Sequence, residues 1–486
     1  MIGRIAASLA VVVAGVALVV LVRTFAVHEE ALPPAPVPAA PPAIAVEAAA
    51  RHLGEAIRLR TVSHQDPSQD DAAEWQRLRD WLLATYPALH AHATRELVED
   101  RTLVLTWAGR EPALPPVILM AHQDVVPVAE GTESGWRHPP FSGEVAEGAV
   151  WGRGAVDDKG SLVALYEALE QLAARGFTPR RTLIVVSGAN EEVQGSGAEA
   201  AASLLAGRGV HAEFVLDEGL VILANHPITH GPVAMIGIAE KGYGTLEVAA
   251  HAPGGHSSMP PAETADTTLA RALLAIAADA PPPSLSGPTG QMLETLAPQA
   301  PFATRMAIAN KWLFAPLLVR AISATPAGAA MLHTTVAPTL LAGSAKENVL
   351  PERATVAINY RLAPGDASVA VEDRARKATQ ALPVTMAWLH PPLEASRVSS
   401  TRSRGWALIA ALAREAAHGP AAPGLMIGGT DSRRLQPVAD DVYRFDPVTL
   451  ADGELSMIHG TNEHLTLANL AQSITFYLRL IEGATG

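Results

Sequence analysis

Three short apolar runs along the chain predict buried strands of a parallel sheet. They span residues 117–121, 182–187 and 214–216, and each consists mostly of aliphatic residues. Residues 161–175 separate the first two runs and repeat leucine at helical spacing, and a second helix is predicted at about 198–207. Because strands and helices alternate, the pattern predicts an α/β fold whose mainly parallel sheet is covered on both faces.

The pattern changes after about residue 236 and returns near residue 402. Between these points, residues 245–250 and 354–362 predict strands of a smaller sheet, and helical stretches accompany them. The pattern of the main domain then resumes and ends in a helix at 467–481. The predicted organisation is an N-terminal anchor at 1–25, a linker rich in Pro and Ala at 26–45, a main domain at 46–235 and 394–486, and an inserted α+β domain at 236–393.

The N-terminus predicts attachment to a membrane or export through one. Residues 5–22 are apolar apart from one serine, and Arg4 and Arg23 flank them. The length lies between that of a signal peptide and that of a membrane-spanning helix, so we expect an uncleaved signal anchor, with secretion as the alternative. The proline-rich linker predicts an extended spacer that holds an extracytoplasmic body away from the membrane surface.

Charge and cysteine content exclude several classes of function. The 36 Lys and Arg residues against 49 Asp and Glu residues give a net charge of −13, and no long basic run occurs. This argues against a nucleic-acid-binding protein, which normally presents a basic face. The chain has no cysteine, so thiolate metal sites, disulfides and cysteine nucleophiles are excluded. Any bound metal must therefore be held by His, Asp and Glu.

Acidic and imidazole side chains follow each predicted strand of the main domain. They are His122 and Asp124, Glu191 and Glu192, and Asp217, and the turn at 152–159 and the late His459 supply further candidates. Ligands of open α/β sheets bind outside the carboxyl ends of the strands, so these side chains should converge. Several carboxylates in one crevice repel one another unless a cation lies among them. Oxygen and imidazole ligands suit zinc, manganese or cobalt better than calcium.

The motifs that contain these residues resemble those of the M20 metallopeptidase family. They are His122-Gln-Asp-Val-Val-Pro, Gly152-Arg-Gly-Ala-Val-Asp-Asp-Lys, Asn190-Glu-Glu, Asp217-Glu-Gly, Gly254-Gly-His-Ser-Ser and His459-Gly-Thr-Asn-Glu. The resemblance runs from about residue 46 to the C-terminus and is greatest to the carboxypeptidase S branch, which includes the mammalian N-fatty-acyl-amino-acid synthase/hydrolase. It implies a di-zinc catalytic domain with an inserted lid domain.

The resemblance also implies the metal ligands. His122 and Asp217 would bind one ion, Glu192 and His459 would bind the other, and Asp157 would bridge the two. The cofactors would be two divalent ions, zinc in the first place, with manganese or cobalt as alternatives. The peptide bond after the bridging aspartate is implied to be cis.

Further residues receive catalytic and substrate-binding roles from the same resemblance. Asp124 would orient the first histidine, and Glu191 would act as the general base. From the lid, His256 would stabilise the oxyanion of the tetrahedral intermediate, and Arg361 and Asn348 would hold a substrate carboxylate.

Together these roles imply a hydrolase that cleaves the amide bond of small peptides or N-acyl amino acids with a free carboxylate. Two other interpretations remain open at this point. Glycines in residues 195–200 superficially match a dinucleotide-binding fingerprint, although Glu191 and Glu192 would repel a pyrophosphate. A non-catalytic, membrane-tethered binding protein on a hydrolase scaffold is the other alternative. The acyl group, the amino acid and the oligomeric state stay undetermined.

Overall fold

The computed structural model describes residues 2–39 and 44–486. Its strands are β1 (Thr94–Val98), β2 (Thr102–Trp107), β3 (Val117–Met120), β4 (Glu144–Ala146), β5 (Ala149–Trp151), β6 (Leu183–Ser187), β7 (Ala212–Leu223), β8 (Val233–Glu240), β9 (Gly244–His251), β10 (Gly255–His256), β11 (Thr335–Ala342), β12 (Val349–Leu350), β13 (Arg353–Arg361), β14 (Val384–Trp388), β15 (Ala421–Met426), β16 (Ala439–Leu450) and β17 (His464–Thr466). Its α-helices are α1 (Ile2–Phe25), α2 (Val46–Arg58), α3 (Ala72–Thr85), α4 (Pro87–His92), α5 (Lys159–Ala174), α6 (Gly197–Gly207), α7 (Ala265–Ala278), α8 (Gly287–Leu296), α9 (Phe302–Ala309), α10 (Lys311–Ile322), α11 (Pro326–Leu332), α12 (Ser368–Ala378), α13 (Arg404–Ala417) and α14 (Leu467–Thr485).

The large sheet has the strand order β1-β2-β6-β3-β7-β16-β8-β15. Its centre is parallel, because β3 pairs in parallel with β6 and β7, and β7 with β16. The residues of β3 and β6 are buried throughout, as expected for strands covered on both faces. Helices α2, α5, α13 and α14 contribute to the core on one face, and α6 covers the other. The predicted α/β fold with a mainly parallel sheet is confirmed.

The smaller sheet has the order β11-β13-β9-β14 and is antiparallel. The predicted strands at 245–250 and 354–362 correspond to β9 and β13, which pair directly. Helices α7 and α12 pack on one face through an apolar cluster that includes Leu269 and Val371. This sheet therefore has the α+β character predicted for the inserted lid.

The chain does not pass from the large sheet to the smaller one at the predicted domain boundaries, residues 236 and 393. Strand β8 crosses the first boundary and lies wholly within the large sheet. Within the predicted lid, Met292 and Leu293 of α8 pack with Val233, Met235 and Ala422 on the edge of the large sheet. Helix α8 thus extends the main domain, and the division of the chain into domains stays a prediction.

The linker after α1 does not form the predicted spacer. Leu32, Ala35 and Val37 pack against the main hydrophobic core, and Arg479 of α14 donates to the carbonyl oxygen of Pro38 at 2.8 and 3.0 Å. Residues 40–43 of the linker lie outside the described residues. Helix α1 itself is long and apolar enough to span a membrane, since Arg4–Phe25 has a mean hydropathy of 3.0 and is mostly exposed.

Candidate metal centre and active site

His122 leaves the carboxyl end of β3 and is held from both sides. Its backbone N–H donates to Asp158 Oδ2 at 2.9 Å, and its Nδ1 lies 3.0 Å from the backbone oxygen of Asp124. The side chain is 2% exposed, so the ring has little freedom. Its Nε2 points toward Asp157 Oδ1 at 3.0 Å. An imidazole held through Nδ1 with Nε2 directed at carboxylates is the usual arrangement of a metal-binding histidine.

Asp124 connects this histidine to the next candidate residues. Its Oδ1 lies 3.3 Å from His122 Nδ1, and its two oxygens accept from the backbone N–H groups of Glu191 and Glu192, each at 3.2 Å. Ser63 Oγ donates to the same carboxylate at 2.6 Å, which leaves it fully buried and well satisfied. One carboxylate therefore positions both the imidazole and the turn that carries the two glutamates.

Asp157 lies between two imidazoles. Its Oδ1 contacts His122 Nε2, and its Oδ2 lies 3.1 Å from His459 Nε2. His459 Nε2 also lies 3.0 Å from Glu192 Oε2. One ligand atom each from His122, Asp157 and Glu192 lies within 4.8 Å of the others. The peptide bond between Asp157 and Asp158 is cis, which confirms that expectation.

A buried ion pair that the sequence reasoning missed joins the segments of Asp157 and His459. Glu463 Oε1 accepts from the backbone N–H groups of Val156 (2.9 Å) and Asp157 (3.1 Å), and its Oε2 accepts from Arg153 Nη1 at 2.7 Å. Arg153 Nη2 donates in turn to the carbonyl oxygen of His459 at 3.1 Å. The only sequence signal was the position of Glu463 within the His459 motif.

The structure does not bring the carboxylate of Asp217 into this group. Both Asp217 and Glu218 lie within β7, which continues past the predicted end of the strand, and the pairing of β7 with β16 shifts register directly after Asp217. Asp217 Oδ2 accepts from the backbone N–H of Ser432 at 2.8 Å. The neighbouring Glu218, which we had not singled out, places its Oε1 3.6 Å from His122 Nε2 and forms a second possible ligand group with His122 and Asp158.

Negative charge dominates the crevice. Burial and neighbouring carboxylates, Asp157 among them, raise the pKa values of Glu191 and Glu218 well above the usual range. Hydrogen bonds with Asp157 and Glu192 raise the pKa of His459 to about 10. Burial is the main cause of the raised pKa values of the two glutamates, and repulsion between crowded carboxylates adds to it; the same carboxylates stabilise the protonated imidazole of His459.

A cavity of about 330 Å³ opens beside these groups and contains one of the predicted substrate-binding residues. Asp157, Glu191, Glu192 and His459 line it together with Arg361 from the end of β13. The guanidinium of Arg361 lies 4.7 Å from the ring centre of Tyr243. Within the described residues, no carboxylate forms an ion pair with it.

The two neighbouring arginines of the cavity wall, which the sequence reasoning also missed, are paired. Arg433 Nε lies 3.4 Å from Glu240 Oε1, and Arg434 Nη1 lies 3.2 Å from Glu199 Oε2. Arg361 is therefore the guanidinium of this wall that is free to meet an anion.

His256 and Asn348 are not among the residues that line the cavity. They lie together where β10 pairs with β12, and the backbone N–H of Ser257 donates to the Asn348 carbonyl oxygen at 3.1 Å. His256 is exposed, and its Nδ1 accepts from the backbone N–H of Ser258 at 3.1 Å. Their roles at the oxyanion and the substrate carboxylate stay predictions.

Comparison with known proteins shows which family contains these candidate ligands. The profile of peptidase family M20/M25/M40 matches residues 118–483, which include the candidate ligands and the cavity. The chain belongs to this family. A probable carboxypeptidase S-like protein of Dictyostelium discoideum is 33% identical over 441 residues, covering 89% of this chain and 84% of that protein. The N-fatty-acyl-amino acid synthase/hydrolase of Homo sapiens is 35% identical over 396 residues, covering 80% and 78%.

Solved structures support the fold of this M20 protein. An M20 family metallo-carboxypeptidase from Sulfolobus solfataricus has a TM-score of 0.65 at 17% identity, covering 90% of this chain and 98% of that one. Human carnosine dipeptidase 1 has a TM-score of 0.60 at 15% identity, covering 91% and 100%. The catalytic domain with a lid is thus the architecture of the family, and the chain is an M20-type metallopeptidase or amidohydrolase.

The donor set of this M20 protein fits divalent metal binding. Glu192 Oε1 and Asp158 Oδ1 are buried and have no hydrogen-bond partner among the described residues. Buried carboxylate oxygens without partners cost free energy unless a cation or a proton satisfies them. Imidazole and carboxylate together, with no thiolate in the chain, suit zinc, manganese or cobalt.

Proposed function

We propose that this M20 protein hydrolyses the amide bond of small peptides or N-acyl amino acids that carry a free carboxylate. The observation that carries the proposal is the position of Asp157 between His122 and His459, on the wall of a cavity that also contains the unpaired Arg361. A two-metal centre and an anion-binding group in one cavity are the parts that such a hydrolase requires.

Five side chains would hold two divalent ions, for which zinc is our first choice. His122 and either Asp217 or Glu218 would belong to one ion, Glu192 and His459 to the other, and Asp157 to both. When bound, two such ions would lower the pKa of a coordinated water from 15.7 to ~7 and polarise the substrate carbonyl. The distances favour Glu218 over Asp217, because the Glu218 carboxylate is the one that approaches His122.

Glu191 is proposed as the general base. Its backbone is held by Asp124, while its side chain lines the cavity. Burial and acidic neighbours raise its pKa well above the usual range, which favours a carboxylate that accepts a proton and then releases it. It would take a proton from the attacking water and pass it to the nitrogen of the leaving amine.

Arg361 would select substrates that carry a carboxylate on the leaving amino acid. Its guanidinium is partly buried over Tyr243 and lacks an ion-pair partner within the described residues, so an incoming carboxylate would not have to displace one. A guanidinium can pair a carboxylate with two parallel hydrogen bonds. Two curated relatives have names that fit this class, namely the carboxypeptidase S-like protein and the N-fatty-acyl-amino acid synthase/hydrolase.

Helix α1 would remain in the mature chain as a signal anchor, with the body extracytoplasmic and secretion as the alternative. Its last turns contact the body, as Arg23 Nε donates to the carbonyl oxygen of Ala309 at 3.1 Å. A segment that the folded body binds is a poor candidate for removal.

A panel of dipeptides and N-acyl amino acids, each with a matched carboxamide, tests this proposal. We expect turnover of the acids by metal-replete protein, loss of turnover with a chelator, and recovery when zinc, manganese or cobalt is returned. Binding of the acids without turnover, under every metal condition, would instead favour the non-catalytic binding protein.

A further inference from the structure

Helices α9 and α10 form an exposed apolar surface next to the membrane-spanning candidate α1. Phe302, Trp312, Leu313 and Leu317 are 48%, 56%, 44% and 61% exposed, although they are among the largest apolar side chains of this segment. Soluble proteins seldom expose several such residues together, and a cluster of them marks a surface that binds something apolar. We define these four residues as the apolar surface.

This surface is attached to the last turns of α1. Asn310, between α9 and α10, donates from Nδ2 to the carbonyl oxygen of Val20 at 3.2 Å and to Thr24 Oγ1 at 3.3 Å. The rings of Phe25 and Phe302 lie 5.9 Å apart. Val20 and Thr24 are buried by this contact, whereas most of α1 is exposed. The contact therefore involves only the C-terminal end of the helix.

Helix geometry places that contact at the level of a membrane surface. The stretch from Val20 to Phe25 rises about 8 Å at 1.5 Å per residue, against the ~30 Å of hydrocarbon that a spanning helix crosses. If the apolar part of α1 spans the bilayer, α9 and α10 must lie where hydrocarbon gives way to headgroups. Tryptophan is enriched at that depth, and Trp312 belongs to the apolar surface.

The charge of the segment fits the same location. No Asp or Glu occurs between Glu294 and Glu347, in a chain with 49 acidic residues, while Arg305, Lys311 and Arg320 lie in α9 and α10. Lys311 forms an ion pair with Glu294, and among the described residues no carboxylate pairs with Arg305 or Arg320. Anionic lipid headgroups attract cationic side chains and repel acidic ones. An apolar face with flanking cations that outnumber the acids beside them is typical of a helix that lies in a membrane interface.

We propose that α9 and α10 are a second membrane-binding element, lying in the headgroup region beside α1 with the apolar surface inserted among the acyl chains. The proposal rests on α1 being retained as an anchor. It means that the body lies directly on the bilayer, which agrees with the packing of the linker against the body.

The absence of native cysteine allows a direct test in the full chain. Single cysteines replace Trp312 (Trp312→Cys) or Leu317 (Leu317→Cys), each is labelled with an environment-sensitive fluorophore, and the protein is reconstituted into vesicles of neutral and anionic phospholipid. Some vesicles carry nitroxide-labelled acyl chains. The matched control is Leu274→Cys, since Leu274 is 70% exposed on α7, which packs on the smaller sheet.

We expect several-fold greater nitroxide quenching and a blue-shifted emission for the labels at 312 and 317 than for the label at 274. Quenching at 312 and 317 that is no greater than at 274 would overturn the proposal. A second copy of the chain covering the apolar surface would give this result, and it would contradict the proposal in the same way. Intact mass measurement shows separately whether α1 is retained, and the amide-hydrolysis assay shows separately whether the proposed function holds.

Discussion

The crevice at the end of the large sheet and the predicted lid hold their candidate residues in different ways. In the crevice, Asp124 is fully buried, accepts three hydrogen bonds and contacts His122, and Glu463 accepts from three backbone N–H groups and Arg153. These two buried carboxylates thus restrain His122 and the backbone segments that carry Glu192, Asp157 and His459.

The predicted lid offers much less support of this kind. His256 is exposed and bonded only within its own turn, and Arg361 rests on the face of Tyr243. Of the three residues of the predicted lid expected to contact substrate, Arg361 on the smaller sheet lines the cavity, whereas His256 and Asn348 lie at the separate pairing of β10 with β12 and do not. The difference indicates that the metal side of the site is preorganised, whereas the substrate side depends on weaker contacts that substrate binding can change.

The largest effect is expected from Glu191→Gln, which keeps the shape of the side chain and removes the proton acceptor. Turnover should fall by about 10²–10⁴-fold, while metal content and substrate affinity persist. Steady-state kinetics with metal analysis measures both. Glu96→Gln, at an exposed pair with Arg208 away from the cavity, serves as the control and should leave turnover unchanged; near-normal turnover of the Glu191 variant would place the base elsewhere.

Glu463→Gln tests how much the buried ion pair of the crevice stabilises the folded protein. Removing one charge of a buried pair leaves Arg153 without its counterion, so the free energy of unfolding should fall by about 3–5 kcal/mol. Denaturant unfolding of the metal-free protein gives this value. The exposed pair of Arg180 and Glu111 is the matched control, for which Glu111→Gln should cost less than about 1 kcal/mol. Equal losses of unfolding free energy for the two variants would mean that the buried pair stabilises the protein no more than an exposed pair does.

Asp217→Asn and Glu218→Gln distinguish the two candidates for the first metal position. We expect Glu218→Gln to weaken metal binding by more than the roughly 10–100-fold that a residue outside the coordination sphere contributes, and Asp217→Asn to stay within or below that range. Competition titration with a chromogenic chelator measures both affinities. The reverse order would restore Asp217 as the ligand that the family resemblance implies.

The smallest effect is expected from Arg361→Lys, on the substrate side of the site, where the contacts that hold the candidate residues are weaker. Lysine keeps the charge but loses the paired geometry, so kcat/KM for free-acid substrates should fall by about 10-fold, while the carboxamides change little. Arg353→Lys, on the same strand but paired with Glu247, is the control and should change neither. Equal losses for acid and carboxamide would leave Arg361 a structural residue.

Local pattern in the sequence determined most of the framework. The apolar runs at 117–121 and 182–187 correspond to β3 and β6, and the strands at 245–250 and 354–362 pair as β9 and β13. The motifs identified the family, and His122, Asp157, Glu192 and His459 come together as expected. These features can be predicted from the sequence because periodicity and short motifs depend on residues that are neighbours along the chain.

Tertiary structure alone decided the remaining features, and each depends on contacts between distant segments. Glu463 reaches Arg153 across 310 positions, and α8 packs on the large sheet although it lies among residues of the predicted lid. Asp217 and Glu218 are neighbours on β7, and only their contacts with distant segments distinguish them, since Asp217 accepts from the backbone of Ser432 and Glu218 approaches His122. The packing of the proline-rich linker against the core is of the same kind, because it joins segments that lie far apart in the sequence.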